Sequence, residues 1–317
     1  MSTEGVSIVT DTPLRLSGVV PPLVTPLTPE RALDVSSFER LIERMLAAGV
    51  DGVFPLGSTS EVAFHTDTMR AQILAEAVRI VDGRVPVIAG VIDMQTPRVL
   101  EHVAAAVDAG ADAVVATAPF YAVTAPAQVR RHFELLGEHS AVPVFAYDIP
   151  VCVHTKLDPR MLVELGAAGA IAGVKDSSGD DISFRRLALL NRDAGSPLAV
   201  FTGHEFVVDG AYLSGADGVV PGLGNVDPAG YVRLHRAATA GDWEAVRTEQ
   251  DRLARLMEIC LVARDTTGWG AGVGAFKTAL ELLGVIGSRQ LPEPFDAFSD
   301  ADVARVKEIL DEVGPRA

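Results

Sequence analysis

Residues 168 to 181 read "AGAIAGVKDSSGDD", where an apolar run gives way to small polar residues at a single lysine, Lys175. The chain has only four lysines, the others being Lys156, Lys277 and Lys307, and arginine supplies nearly all the remaining positive charge. A guanidinium serves any solvating or ion-pairing role but keeps its proton, whereas a lysine amine can lose one and attack a carbonyl. Burial among Val, Ala and Ile would disfavour the ammonium form of Lys175, leaving an amine able to form a Schiff base. Taken alone, pairing with the adjacent Asp176 would be the plainer role.

Other hydroxyl-bearing residues fall at comparable places. "GSTSE", residues 57 to 61, offers Ser58 and Thr59 side chains and a turn of backbone amides that suits a carboxylate. "YDIP" carries Tyr147 and "PFY" carries Tyr121, two of only four tyrosines. Phenols so placed can move protons to and from a carbinolamine. Singly, each of these residues reads as an ordinary turn or a half-buried amphipathic ring. Their joint placement with Lys175 at strand ends is what points to chemistry.

The elements that must position them alternate along the chain. Apolar strand-like runs are "GVVPPLV" from Gly18, "VDGVFPL" from Val50, "VPVIAGV" from Val85, "ADAVVAT" from Ala111, "VPVFAYD" from Val142, "IAGVKD" from Ile171, "LAVFTG" from Leu198 and "DGVVPG" from Asp217. Between them lie segments such as "SSFERLIERMLAAG" and "TPRVLEHVAAAVDAG", with apolar residues every three or four positions. One phrase recurs where helix gives way to strand, as in "AAGVDGVFPLG", "DAGADAVVATA", "GAAGAIAGVKD" and "LSGADGVVPG". Its glycine fits a left-handed helix stop, and the run after it fits a strand covered on both faces. Eight such units predict an α/β (β/α)8 TIM barrel with its site at the carboxyl ends of the strands. An open doubly wound sheet is the alternative, but no GxGxxG turn follows the first strand. The reading divides the chain into a lead-in over 1–16, a barrel over 17–240 and a C-terminal helical extension over 241–317.

Composition narrows the function classes. The 317 residues, 48% of them apolar, are enough for a large core. A net charge of -15 argues against nucleic acid as partner, since a phosphate backbone demands a basic face. Cys152 and Cys260 lie far apart outside any CxxC or metal spacing, so neither a disulfide nor a metal site is expected and a reducing cytoplasm is the simplest setting. No run of about 18 apolar residues predicts a membrane span.

These motifs resemble the pyruvate-dependent class I lyases and synthases that include dihydrodipicolinate synthase and N-acetylneuraminate lyase. The resemblance covers nearly the whole chain: "GSTSE" looks like the carboxylate-binding turn, "YDIP" like the catalytic-tyrosine motif and "GVKDSSGD" like the Schiff-base segment. It implies that Lys175 forms an imine with pyruvate or another 2-oxo acid, that Tyr147 transfers protons, and that Ser58 and Thr59 bind the carboxylate, with Thr59 in a relay to Tyr147. It implies no cofactor or metal. Tyr121 matches a position that in many relatives reaches a neighbouring subunit's site, which implies a homodimer or homotetramer.

The sequence also departs from the family. Ser60 stands where glycine is usual, and Asp148 where asparagine is usual. Dihydrodipicolinate synthases usually carry an arginine two residues after the YxxP proline, and here that residue is Cys152, with no arginine between Pro150 and Arg160. "TGHEF", residues 202 to 206, resembles the segment that contacts substrate hydroxyls in sialic-acid lyases, which makes Gly203, His204 and Glu205 candidates for polyol recognition. The expected reaction is reversible aldol cleavage of a 2-keto-3-deoxy sugar acid. Dihydrodipicolinate synthesis and sugar-acid dehydration are the alternatives inside the class. Outside it stand a non-enzymatic 2-oxo acid sensor and a phosphosugar barrel using "VPGLGN" as an anion nest.

Overall fold

A computed structural model describes residues 16–315; of the expected lead-in, residues 1–15 lie outside that range. Seven parallel strands form one sheet: β1 (Gly18–Val19), β2 (Ile88–Gly90), β3 (Ala113–Thr117), β4 (Val144–Asp148), β5 (Gly173–Asp176), β6 (Ala199–Thr202) and β7 (Gly218–Val219). Their order is β1-β7-β6-β5-β4-β3-β2. Every strand residue is buried, as strands covered on both faces require.

The run from Val50, expected as a full strand, forms isolated parallel bridges instead, Phe54 to Pro22 on one side and Val53 to Val87 on the other. The reason is proline. Pro21, Pro22, Pro55 and Pro86 have no amide hydrogen to donate, so a continuous ladder cannot run along this segment. Among the described residues, three backbone hydrogen bonds still tie it to each sheet edge, among them Phe54 N to Pro21 O at 3.0 Å on one side and Ile88 N to Val53 O at 2.9 Å on the other.

The helices fall where the periodicity places them, and side-chain caps start many of them. Asp34, Thr66, Asp158 and Asp180 each accept from the amide three residues on, opening helices Val35–Ala48, Asp67–Val81, Pro159–Ala167 and Asp181–Asp193. Gly49, Gly110 and Gly215 end their helices in the left-handed conformation, with φ of 81°, 91° and 106°. In the third copy of the recurring phrase the cap is Ala168, and Gly169 behind it takes the positive φ.

Helices Pro228–Ala240, Trp243–Met257, Gly268–Leu282 and Asp300–Val313 follow the last strand. The first packs on β1 and on Val35–Ala48. The third lies against the 57–61 turn, and its buried face includes Lys277. Among the described residues, no helix is long and apolar enough to cross a membrane.

Candidate active site

Lys175 sits on β5 and Tyr147 directly opposite it on β4. Alternation along the strands turns both inward and sends Val174, Asp148 and Asp176 outward. Lys175 is 5% exposed, and its Nζ lies 4.1 Å from the Tyr147 ring centroid and 5.0 Å from that of Phe54. Val20, Ile88, Val115, Phe145, Phe201 and Val220 line the apolar space around its stem. Gly203 is what leaves the amine room: a Cβ there would stand 3.3 Å from Lys175 Cε and 2.1 Å from Ser177 Oγ. Among the described residues no carboxylate lies within ion-pair distance of Lys175. Asp176 does not pair with it; its carboxylate accepts from the Ser178 amide at 2.8 Å and hydroxyl at 2.7 Å, on the other face of the strand.

The 57–61 turn opens beside that amine. Gly57 packs so tightly on the Phe54 ring that a Cβ would stand 2.9 Å from it. Ser58 and Thr59 are half-buried, and among the described residues neither their amides nor their hydroxyls donate a hydrogen bond. They are free to receive an anion. Ser60, which replaces the usual glycine, is buried, and its hydroxyl donates to Leu23 O while its own carbonyl accepts from Thr25 Oγ1 at 2.8 Å. The extra hydroxyl thus fastens the turn to the first strand run. Glu61 closes the turn with φ 64°.

The remaining candidates are placed differently. Cys152 is exposed as a residue, yet desolvation at its sulfur pushes the thiol up, and the Lys175 ammonium opposes that shift. His204 Nδ1 lies 3.2 Å from Asp181 Oδ1, at the start of a neighbouring helix. Glu205 is tied beneath the 222–225 loop, its carboxylate accepting from Leu223 N at 2.8 Å and Tyr231 Oη at 2.9 Å. Burial pushes that carboxyl up, and these bonds oppose the shift. Tyr121 does not join the cluster: it is 89% exposed, with φ 70°.

Three features of the site escaped the sequence reading. Phe54, beneath the amine, reads in sequence as a core residue. Asp148 is wholly buried and bonds Lys156 Nζ and the Leu157 amide, with Asp176 Oδ2 3.7 Å from the same ammonium. Burial pushes the Asp148 carboxyl up to about 6, against the pull of Lys156. Glu61 and Lys277 form a fully buried ion pair at 2.6 Å. Both belonged to motifs or counts noted in sequence, but 216 positions separate them. A concavity of about 450 Å³ at the opposite end of the strands, lined by Gly137, Pro143 and Ala170 among others, holds no titratable side chain and offers no chemistry.

Residues 15–313 match the model of the dihydrodipicolinate synthetase family. Over 300 residues the chain is 31% identical to a 4-hydroxy-tetrahydrodipicolinate synthase of Anaeromyxobacter sp. (strain Fw109-5), covering 95% of this chain and 98% of that one. Dihydrodipicolinate synthase from Bacteroides thetaiotaomicron superposes with a TM-score of 0.89 at 30% identity, over 95% of this chain and 100% of that one. YagE, a prophage protein of the dihydrodipicolinic acid synthase family from E. coli K12 solved with pyruvate, gives a TM-score of 0.88 at 27% identity, over 94% and 98%. With an inward lysine beside a tyrosine and a hydroxyl-bearing turn at the strand ends, and with near-complete matches of this kind, the chain belongs to the dihydrodipicolinate synthetase family.

Proposed function

We propose that the chain is a Schiff-base-forming lyase acting on a 2-oxo acid, and that its reaction is reversible aldol cleavage of a 2-keto-3-deoxy sugar acid to pyruvate and an aldehyde. The observation that carries the reading is the Lys175 amine, buried among apolar walls without a carboxylate partner among the described residues, 4.1 Å from the Tyr147 ring centroid. The amine attacks C2 of the oxo acid and, with loss of water and a proton kept on the nitrogen, becomes a protonated imine. A base then takes the proton of the C4 hydroxyl, the C3–C4 bond breaks, and its electron pair passes through C2 to the imine nitrogen as an enamine. Tyr147 is the group in reach for that proton, with Thr59 relaying it. The enamine is protonated at C3, and hydrolysis releases pyruvate and the free amine. Ser58 and Thr59 hold the substrate carboxylate through that cycle.

Cys152 supports the sugar-acid branch. No arginine lies between Pro150 and Arg160 to clamp a second carboxylate, and Lys156, the lysine of that stretch, is engaged by Asp148. The names of the relatives favour the second reading, 4-hydroxy-tetrahydrodipicolinate synthesis. Tyr121 supports assembly as a homodimer, or a homotetramer built from it, because an exposed ring on a left-handed backbone gains a reason only from a neighbour. We further read 17–240 as an eight-unit barrel, with the Val50 run in the eighth position and the later helices as an extension.

Pyruvate with borohydride should leave a reduced adduct on the Lys175 peptide alone, read by mass; an unmodified Lys175 peptide would rule out imine chemistry. Aspartate semialdehyde and glyceraldehyde should then be compared as acceptors, for the wild type and for Cys152→Arg. A bidentate arginine contact is worth about 1.5 to 3 kcal/mol, so Cys152→Arg should gain roughly ten- to a hundred-fold with the semialdehyde and nothing with glyceraldehyde. A wild type that prefers the semialdehyde would hand the assignment to the synthase reading.

A further inference from the structure

The turn that receives the substrate carboxylate carries a carboxylate of its own directly behind it. Glu61 is 1% exposed, and it ends the segment whose Ser58 and Thr59 groups face the mouth. An unneutralised charge there would repel the anion the turn must bind. Lys277, from helix Gly268–Leu282, meets it: Nζ donates to Glu61 Oε1 at 2.6 Å, to Oε2 at 2.8 Å and to the Gln290 carbonyl at 2.9 Å, which uses all three of its protons. The same helix makes a second contact, because Trp269 Nε1 donates to the Ser58 carbonyl at 3.0 Å. The Trp269 ring packs at 4.7 Å on Phe64 and at 5.0 Å on Phe295, gripping the short helical turn Val62–Phe64 that follows Glu61. Glu61 is held at a φ of 64°, a conformation that persists only where several contacts over-determine it.

We propose that Glu61, Lys277 and Trp269 are positioning residues through which the C-terminal helices set the shape and the charge of the carboxylate-binding turn. None of the three touches the substrate. Lys277 cancels the Glu61 charge and pins the end of the turn, while Trp269 fixes the Ser58 carbonyl and so aims the Ser58 and Thr59 amides. The inference rests on the imine reading of the site, and it deepens that reading by making substrate affinity depend on a helix 216 residues away in the chain.

The test is the pyruvate concentration that half-saturates borohydride trapping of Lys175, with the maximal trapping rate as a separate readout. It is measured for the wild type, Trp269→Phe, Lys277→Met and the double variant Glu61→Gln/Lys277→Met, each checked for its folded circular dichroism spectrum. Lys277→Met should raise the half-saturating concentration about tenfold or more while the maximal rate stays within roughly threefold. Trp269→Phe keeps the aromatic packing and should raise it by about threefold. The double variant, whose neutral carboxamide needs no counter-charge, should recover most of the affinity lost in Lys277→Met. Unchanged half-saturation in the folded variants, or a double variant no better than the single one, would overturn the proposal. Where Lys277→Met does not fold, unchanged affinity in Trp269→Phe overturns it alone. Absence of any Lys175 adduct in the wild type counts against the imine reading itself, and calorimetric titration of the same proteins with pyruvate then decides the positioning role.

Discussion

Lys175 and Lys277 are both folded away from water, at 5% and 0% exposure, and their surroundings are opposite. Lys277 has a carboxylate on two of its protons and a carbonyl on the third. Lys175 has aromatic faces and apolar walls. Burial penalises the charged form of Lys277, and the ion pair with Glu61 opposes that penalty. The contrast separates a lysine whose protons are all spoken for from one whose nitrogen can take part in a reaction. In a chain with four lysines, two have been taken inside for these two different purposes.

The hardest test of the contrast is Lys175→Arg. It keeps a positive charge and comparable bulk but cannot become a nucleophilic amine, so turnover should fall by ~10³-fold or more and pyruvate should no longer be trapped, with the fold retained. Substantial residual turnover would mean that the site needs a cation at this position and not an amine.

Tyr147→Phe sharpens the comparison by removing the phenolic proton while keeping the ring beside the amine. Turnover should fall by about 10²-fold, with imine trapping reduced less than the later steps. Near-normal steady-state rates would move the proton transfer to another group.

A smaller effect separates inward chemistry from outward structure on the same two strands. Asp148 follows Tyr147, points to the outer face and meets Lys156, with Asp176 the nearest other carboxylate. Because burial holds its carboxyl at about 6 in the folded protein, the folded state binds the proton more tightly than the unfolded chain does. That contribution to stability is full below pH of about 4 and is lost as pH rises through about 6. Asp148→Asn should remove a pH-dependent term on the order of 2 kcal/mol, read as a flatter urea-unfolding free energy between those pH values. An unchanged slope would show that another group titrates there.

The prominence of these strand-end residues in sequence has a physical basis. A lysine closing an apolar run, in a chain nearly free of lysine, cannot be ordinary solvation, and the period of two then fixes which neighbours share its face. For that reason the strand-end positions of Lys175 and Tyr147 were legible in the sequence, and so were the helix ends at Gly49, Gly110 and Gly215. The full strand expected from Val50 is reduced to bridges because apolar pattern says nothing about missing amide donors in facing segments; Pro21 and Pro86 lie on its neighbours and interrupt the ladder there.

What only the tertiary structure decided were the partners of charges far apart in sequence. Glu205 looked free to meet a substrate hydroxyl and is instead bonded to Leu223 and Tyr231. Glu61 looked like the end of a turn and is paired with Lys277. Local sequence sets each backbone's conformation and which face is apolar, because those depend on sterics and periodicity over a few residues. Which carboxylate meets which ammonium depends on how whole helices pack, and the desolvation that makes such pairings obligatory exists only once the interior has closed.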